Sequence, residues 1–226
     1  MNFSANYIFD FFLPRFCPGC NKKLSSNEEP VCKECLDSIL IAEENLIKSE
    51  FKRKFSSTKI ISGFYSKYIF EADKTLQNII HSLKYNKQFR IGTFLGKNLA
   101  QGIISKNWAI DLILPVPIHH LKKADRGYNQ SDFIVKGMSK FLKIPYSSRP
   151  VKRTRYTETQ TNLKLQERAK NVENAFKVRN SKKISNKNIL LVDDVITTGA
   201  TTLECAKVLI NAGARSVYAC SVGIAE

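Results

Sequence analysis

The run at residues 189–202, ILLVDDVITTGATT, constrains the fold more than any other part of the chain. Its first four residues are apolar, which favours a buried strand of a parallel sheet. Asp193 and Asp194 come directly after this strand, where ligands of open α/β folds bind. The Thr-Thr-Gly-Ala-Thr segment that follows supplies backbone N–H groups, hydroxyls and the N-terminus of a helix, which together favour an anion. The run therefore predicts a seat for a monophosphate at the carboxyl edge of a sheet.

The same run also fits a plainer interpretation, in which threonine and glycine cap a helix beside an exposed acidic pair. The position of the acids argues against it. Two adjacent carboxylates repel an approaching phosphate unless they contact something else, such as ribose hydroxyls or a metal ion. The acidic pair therefore favours a sugar phosphate as the ligand.

Strand and helix patterns alternate along the chain from about residue 59. The predicted strands span residues 59–65, 111–116, 189–192 and 216–222, and the predicted helices span 72–83, 89–104, 130–142 and 200–212. This alternation is typical of an α/β fold with a parallel, doubly wound sheet. Residues 1–16 have the spacing of a short amphipathic helix. Residues 153–176 show neither period, so we expect their first half to form a long, mobile loop of the functional kind.

Positive charge is concentrated in one part of the chain. The sequence has 36 Lys and Arg against 20 Asp and Glu, a net charge of +16. Residues 136–187 alone hold 15 Lys or Arg against 3 Glu, so this basic stretch carries +12 of that total. Such a field indicates a polyanionic partner, namely a pyrophosphate-bearing substrate, a nucleic acid or an anionic membrane surface. The alternative is a solvated basic surface that serves solubility.

Four of the six cysteines form two CxxC pairs separated by eleven residues: Cys17 with Cys20, and Cys32 with Cys35. A CxxC turn directs both sulfurs at one metal ion, and two such turns complete the tetrahedral set that structural zinc requires. Two disulfides are the alternative. Because the chain shows no export signal, we expect a reducing compartment and favour a structural zinc ion.

Apolar runs are too short for a membrane span, which needs about 18 to 20 residues. We therefore expect a cytoplasmic protein without a membrane span. A charged connector at residues 43–59 separates the cysteines from the alternating pattern. We accordingly divide the chain into residues 1–58, with the N-terminal helix, cysteine module and connector, and residues 59–226, with the α/β domain.

Several separated motifs, taken together, resemble the ComF (also GntX) family of competence-associated, phosphoribosyltransferase-like proteins. They are PVPIH at 115–119, RGYNQ at 126–130, RTR at 153–155, then Thr157, Gln160, Leu163, Arg168, Asn171 and Phe176, with the cysteine module in front. The resemblance runs from Leu13 to Val222. The chain departs from the family at residues 120–125, where lysines stand in place of the usual arginine and proline, and at Glu158, where proline is frequent. Lysine contacts phosphate as a point charge and cannot reproduce a bidentate arginine.

The resemblance implies a type I phosphoribosyltransferase fold with a small N-terminal zinc-ribbon-like module. Phosphoribosyl pyrophosphate would bind with Mg²⁺, with its ribose hydroxyls on Asp193 and Asp194. Its 5′-phosphate would lie in the loop formed by Thr197, Thr198, Gly199, Ala200, Thr201 and Thr202. Its pyrophosphate would lie on the loop that contains Val116 and Pro117, whose peptide bond takes either the cis or the trans form.

Arg126, Gln160 and Arg168 are the candidate catalytic residues. Arg126 and the loop arginines would neutralise the leaving pyrophosphate, and the loop that carries Gln160 and Arg168 would close over it. The alternatives are plainer: residues 126–130 form a basic turn with Asn129 as a helix cap, and the loop residues are ordinary polar side chains.

Two functions follow from the resemblance. In the first, the protein binds phosphoribosyl pyrophosphate or a 5′-phosphoribosyl end and takes part in DNA uptake during natural transformation. It would handle single-stranded DNA on the cytoplasmic side, beside a DNA translocase or helicase. In the second, it is an active phosphoribosyltransferase of nucleotide metabolism or salvage with an unidentified acceptor. The sequence leaves open whether any transfer is catalysed.

Overall fold

The computed structural model describes residues 14–25, 27–71, 74–156 and 172–225. Along the chain, the elements are β1 (Arg15–Phe16), β2 (Lys23–Leu24), α1 (Lys33–Asp37), α2 (Glu44–Lys54), β3 (Gly63–Ile69), α3 (Thr75–Tyr85), α4 (Phe89–Ile104), β4 (Leu112–Pro115), α5 (His120–Arg126), α6 (Gln130–Leu142), β5 (Val151–Arg153), β6 (Phe176–Val178), a 3₁₀ turn (Ser181–Lys183), β7 (Asn188–Ile196), α7 (Ala200–Asn211) and β8 (Ser216–Ile224).

A four-stranded sheet in the order β3-β8-β7-β4 forms the centre of the fold, and all its strand pairs are parallel. This confirms the predicted parallel α/β fold. β7 is longer than its predicted four residues because Val195 and Ile196 continue the pairing with β8. Asp193 and Asp194 therefore lie within the last paired residues of β7, and the pairing with β8 fixes their backbone.

Two apolar cores cover the two faces of the sheet. Alternate residues of β7 point to opposite faces: Leu190 belongs to the core with α3, α4 and α6, whereas Leu191 belongs to the core with α2 and α7. The cysteine module joins the first core. A small antiparallel pair, β5 with β6, packs at the edge of the second.

The observed boundaries agree best where the sequence pattern is long. The helices predicted at 89–104 and 130–142 have those bounds in the structure. The first strand begins four residues later than predicted, because Lys59 has a left-handed backbone (φ 53°) and parallel pairing starts at Gly63. The helix predicted at 1–16 is wrong at Arg15 and Phe16, which form a strand, and residues 1–13 lie outside the described part.

The charged connector contains an ordered helix, α2, which packs against the sheet. Phe55, directly after α2, is fully buried, and its ring lies 5.5 Å from that of Phe64 on β3. The chain between the cysteine module and the sheet thus contributes to the second core. The division of the chain at residue 58 stays a prediction. No helix in the described ranges is long and apolar enough to cross a membrane.

Candidate functional site

The predicted phosphate loop connects β7 to α7 with a sharp turn at Gly199. This glycine has a left-handed backbone (φ 79°), and the first helical hydrogen bond runs from Leu203 N to its carbonyl at 2.8 Å. A Cβ at this position would lie 2.8 Å from the ring of Phe55, so glycine is required by both backbone and space. The loop therefore rests on the connector helix, and its remaining N–H groups start a helix at the carboxyl edge of the sheet.

Threonine side chains of this loop differ in their accessibility. Thr197 is exposed, and Thr198 and Thr201 are half-buried. The Thr198 hydroxyl accepts from the Ala200 N–H at 3.4 Å. Thr202 is buried within α7. The first three side chains are thus those that a ligand at the loop can reach.

Asp194 is held inside the protein by two other elements. Lys84, near the end of α3, places its Nζ 2.7 Å from Asp194 Oδ2, and the Gln130 amide donates to Oδ1 at 3.3 Å. The side chain of Asp194 is 6% exposed and that of Lys84 is 24% exposed. This is a largely buried ion pair that joins α3 to the end of β7.

Asp193 has different partners. Its Oδ1 accepts from the Ser131 hydroxyl at 3.3 Å and from the backbone N–H of Asp194 at 2.9 Å. The guanidinium of Arg153 on β5 interacts electrostatically with this carboxyl. Asp193 remains half-buried, and Lys84, which contacts Asp194 directly, acts on Asp193 through its charge. Of the two acids, Asp193 is the one that keeps oxygen atoms for a ligand.

The environments separate the pKa values of the two acids. Burial acts to raise the pKa of Asp194, but the charge of Lys84 and its hydrogen bonds outweigh it and lower that pKa to about 2. Burial and the charge of Asp194 raise the pKa of Asp193 well above its ordinary value. Lys84 therefore favours the charged form of Asp194, whereas burial and the neighbouring Asp194 disfavour the charged form of Asp193.

Arg126 joins this network from the end of α5. It donates to Gln130 Oε1 at 3.0 Å and to the Tyr85 hydroxyl at 3.1 Å, and its guanidinium lies 5.0 Å from the centre of the Tyr85 ring. Tyr85 follows Lys84 in the sequence. Arg126, Gln130, Asp194 and Lys84 therefore belong to one connected network of contacts. The structure thus brings Arg126 to the acidic pair.

The segment after β4 lies beside the same edge. The Val116–Pro117 peptide is trans, as are the others in the described ranges. Asn129 donates to the carbonyl of Val116 at 3.0 Å, and its own Oδ1 accepts from Ser131 N at 3.2 Å, capping α6. The predicted capping role of Asn129 is therefore correct, and the same residue also fixes the predicted pyrophosphate loop.

Of the sequence-predicted residues, Asp193, Asp194, Arg126 and the loop 197–201 surround one edge of the sheet. Gln160 and Arg168 fall outside the described residues, and their roles stay predictions. Lys84 and Ser131 were not predicted from the sequence. Ser131 follows the RGYNQ motif directly, so the motif could have indicated it. No sequence pattern indicates Lys84, because its partner Asp194 lies far along the chain.

The four CxxC cysteines come together as predicted. β1 and β2 form a hairpin around the first pair, and Cys32 caps α1 ahead of Cys35. The four sulfur atoms all lie within 4.8 Å of one another, and none is in a disulfide. Tetrahedral zinc with Zn–S bonds of about 2.3 Å needs sulfurs about 3.8 Å apart. Cys20 and Cys32 are 3.7 Å apart, so the set fits a zinc ion.

Burial raises the pKa of Cys32 to about 11 and raises that of Cys35 further. It acts in the same direction on Cys17, but backbone N–H groups that donate to this sulfur outweigh it and lower its pKa to about 7. Buried thiols become thiolates when a cation compensates their charge. Gly19 completes the site, because a Cβ there would lie 2.7 Å from the sulfur of Cys35.

Known proteins resemble this chain in sequence. Residues 133–224 match the family described as phosphoribosyl transferase domain. Competence protein F of Haemophilus influenzae is 30% identical over 207 residues, which cover 89% of this chain and 86% of that protein. The chain belongs to the ComF family. It thus combines a phosphoribosyltransferase-like domain with a four-cysteine cluster near the N-terminus.

Other ComF-family relatives match at similar levels. DNA utilization protein YhgH of Escherichia coli K12 is 33% identical over 147 residues, 63% of this chain and 64% of that protein. Competence protein ComFC of Streptococcus pneumoniae is 27% identical over 201 residues, 89% and 77% of the two chains. Among solved structures, the glutamine phosphoribosylpyrophosphate amidotransferase from B. subtilis, complexed with ADP and GMP, matches with a TM-score of 0.39 and 24% identity. That match covers 57% of this chain and 25% of that one.

Proposed function

We propose that this ComF-family protein binds phosphoribosyl pyrophosphate, or the 5′-phosphoribosyl end of a nucleic acid, and takes part in DNA uptake during natural transformation. The observation that carries the proposal is the end of β7. There, a left-handed glycine opens a helix N-terminus beside two acids, and Lys84 forms a direct ion pair with one of them, Asp194. A helix N-terminus favours the phosphate, and the half-buried carboxyl favours hydroxyl groups or a cation.

Different residues would bind different groups of the ligand. The 5′-phosphate would lie on the N–H groups of the loop and on the hydroxyls of Thr197, Thr198 and Thr201. Asp193 would accept from a ribose hydroxyl, and Asp194, fixed by Lys84, would orient the strand end and offer its remaining lone pairs. Mg²⁺ would arrive with the pyrophosphate, since hard cations are held by carboxylate and phosphate oxygens.

Positive groups for the pyrophosphate lie on the adjacent segments. Arg126 already contacts Gln130 and Tyr85, which holds its guanidinium near the acids, and Arg153 interacts electrostatically with Asp193. Fixed cations of this kind stabilise a leaving pyrophosphate as well as a bound one. The geometry is therefore compatible with phosphoribosyl transfer, and an active transferase with an unidentified acceptor is the second candidate.

A role in DNA uptake rests on the relatives, whose names are competence protein F, competence protein ComFC and DNA utilization protein. The net charge of +16 agrees with a polyanionic partner. We propose that the protein handles single-stranded DNA on the cytoplasmic side of the membrane, beside a DNA translocase.

Calorimetry with phosphoribosyl pyrophosphate and Mg²⁺, followed by a pyrophosphate-release assay on the same sample, tests the proposal. We expect saturable binding that needs Mg²⁺. Binding without release, against each of the nucleobases, would favour the binding function. Release with one of them would favour the transferase. No binding at all would contradict both.

A further inference from the structure

Two shallow depressions lie side by side along the outer face of α4. The first, of about 370 Å³, lies between the β1–β2 hairpin and the start of α4, and the second, of about 460 Å³, lies between α4 and the end of α6. Both are lined by Pro30 and Arg90, so they form one continuous groove. This groove lies outside the phosphoribosyl site, since none of the residues described for that site lines it.

The walls of the groove are basic. Five cations line it, and no carboxylate does: the cations are Arg15, Lys87, Arg90, Lys97 and Lys140. Arg15 donates to backbone carbonyls, and Lys97 lies 3.9 Å from the carboxylate of Glu29 at the rim. Lys87, Arg90 and Lys140 are exposed and make no ion pair with any acid in the described part of the chain. The groove therefore presents uncompensated positive charge to solvent.

The floor of the groove carries exposed aromatic rings. Of the ten phenylalanines in the described ranges, four are buried and three are half-buried. The three that are exposed all line this groove: Phe16 at 45%, Phe89 at 39% and Phe141 at 38%. Phe89 is held rigidly, because it stacks on Phe133 at 4.5 Å and meets Tyr128 edge-on at 4.8 Å. Exposed apolar side chains that are grouped together mark interaction sites more often than scattered ones do.

We infer that this groove binds single-stranded nucleic acid. A single strand offers the two chemistries that the groove matches: unpaired bases that stack on aromatic rings, and a phosphate backbone that follows a line of cations. A duplex hides its bases, so it would leave the phenylalanines uncovered. On α4, Arg90 and Lys97 are separated by two helical turns, about 10 Å, so successive phosphates of one strand can reach both. The inference deepens the proposed function, because it names where that function's DNA would bind.

The groove lies near residues of the phosphoribosyl site. Phe89, which lines the groove, contacts Tyr128, and Tyr128 lies two residues after Arg126. Tyr85, 51% exposed, contacts the guanidinium of Arg126. A strand in the groove would therefore bind near the site proposed for a terminal phosphate.

Fluorescence anisotropy with a labelled oligothymidylate of about 16 nucleotides tests the groove. The charge variant is Arg90→Ala with Lys97→Ala and Lys140→Ala. We expect it to flatten the dependence of log affinity on log salt by about two units, since each phosphate contact contributes about 0.7. The matched control is Lys48→Ala with Lys52→Ala and Lys182→Ala, three exposed lysines outside the groove, and it should keep the wild-type slope.

The stacking variant is Phe16→Ala with Phe141→Ala. We expect it to weaken binding about fivefold or more for each ring and to leave the salt slope unchanged, because no charge is removed. Zinc content and thermal unfolding check that the hairpin is intact, and Phe141→Ala alone, which lies on α6 and outside the hairpin, gives an independent reading.

The outcomes separate this inference from the proposed function. If the groove variants bind the oligonucleotide as the wild type does, the inference that the groove binds it is wrong, and the DNA-handling proposal stands. If the wild type binds phosphoribosyl pyrophosphate but no oligonucleotide, the groove and the DNA part of the proposal both fail. If the groove variants lose binding only to anionic phospholipid vesicles, the groove is a membrane-facing surface and the inference is wrong.

Discussion

At the scale of single residues, the acidic pair behaves as two different groups. Asp194 is a buried anion with its own lysine, whereas Asp193 is half-buried and has a raised pKa. Lys84 offsets the negative charge of Asp194, which would otherwise repel a phosphate at the neighbouring loop. The adjacent acids therefore do not conflict with an anion site, because the fold supplies one cation for one of them.

The pair between Lys84 and Asp194 gives a stability prediction. Lys84→Met should cost about 3 kcal/mol of unfolding free energy, because it leaves Asp194 buried without a partner. The double variant, with Asp194→Asn added, should recover part of this loss, since no uncompensated charge remains. Urea titrations of the two single variants and the double variant would measure the coupling. Additive losses would show that the two side chains do not interact.

The pH dependence of the same variants has an expected sign. In the wild type the pKa of Asp194 is lowered from its usual 3.8 to about 2, so the stability it contributes is present above 3.8 and is lost as pH falls toward 2. In Lys84→Met, burial should raise this pKa instead, so stability should increase as pH falls through the raised value. The same pH slope in both proteins would contradict this.

Gly199 gives a second prediction at this scale. Gly199→Ala should destabilise the protein by about 2 to 3 kcal/mol, because the left-handed backbone and the Phe55 ring both oppose a Cβ. It should also weaken phosphoribosyl pyrophosphate binding about tenfold or more by moving the loop. Gly213→Ala is the matched control: it has the same backbone strain (φ 91°), but its nearest neighbour is 3.4 Å away and it lies outside the site. Equal loss of ligand affinity in the two variants would contradict a specific role for Gly199.

At the scale of elements, the features that could be predicted from the sequence are those that depend on local residue patterns. The bounds of α4 and α6 follow from long apolar periods, and the phosphate loop follows from a strand, two acids and a glycine in order. The contact between Phe55 and Gly199 could not be predicted, since it joins positions 144 residues apart (199 − 55) and the connector shows only charge. For the same reason the ion pair between Lys84 and Asp194 could not be predicted.

The cysteine module gives the prediction for this scale. We expect one zinc ion per chain, lost in Cys35→Ser and kept in Cys220→Ala, because Cys220 is buried in the sheet and far from the cluster in sequence. On zinc removal, hydrogen exchange should accelerate at Cys17, Asn21 and Cys32, while the amides of β7 and β8 stay protected by their own ladder. A reduced wild-type protein without zinc would contradict this, as would loss of protection across the whole sheet.

At the scale of the whole molecule, positive charge lies both at the acidic pair and along a separate groove. Part of the basic stretch at 136–187 lies outside the described residues, and part of it, Arg153, interacts electrostatically with Asp193. Further cations line the groove along α4. This distribution over two surfaces fits a ligand with both a sugar and several phosphates.

The most direct test of the central claim is calorimetry of phosphoribosyl pyrophosphate with Mg²⁺ on the wild type and on Asp193→Asn. This substitution leaves the pair between Lys84 and Asp194 intact, so the fold should be retained, which urea titration would check. Loss of one charge-assisted hydrogen bond costs about 1.5 to 3 kcal/mol, so we expect affinity to fall more than tenfold. Equal affinity in the two folded proteins would contradict the assignment of this edge of the sheet as a phosphoribosyl site.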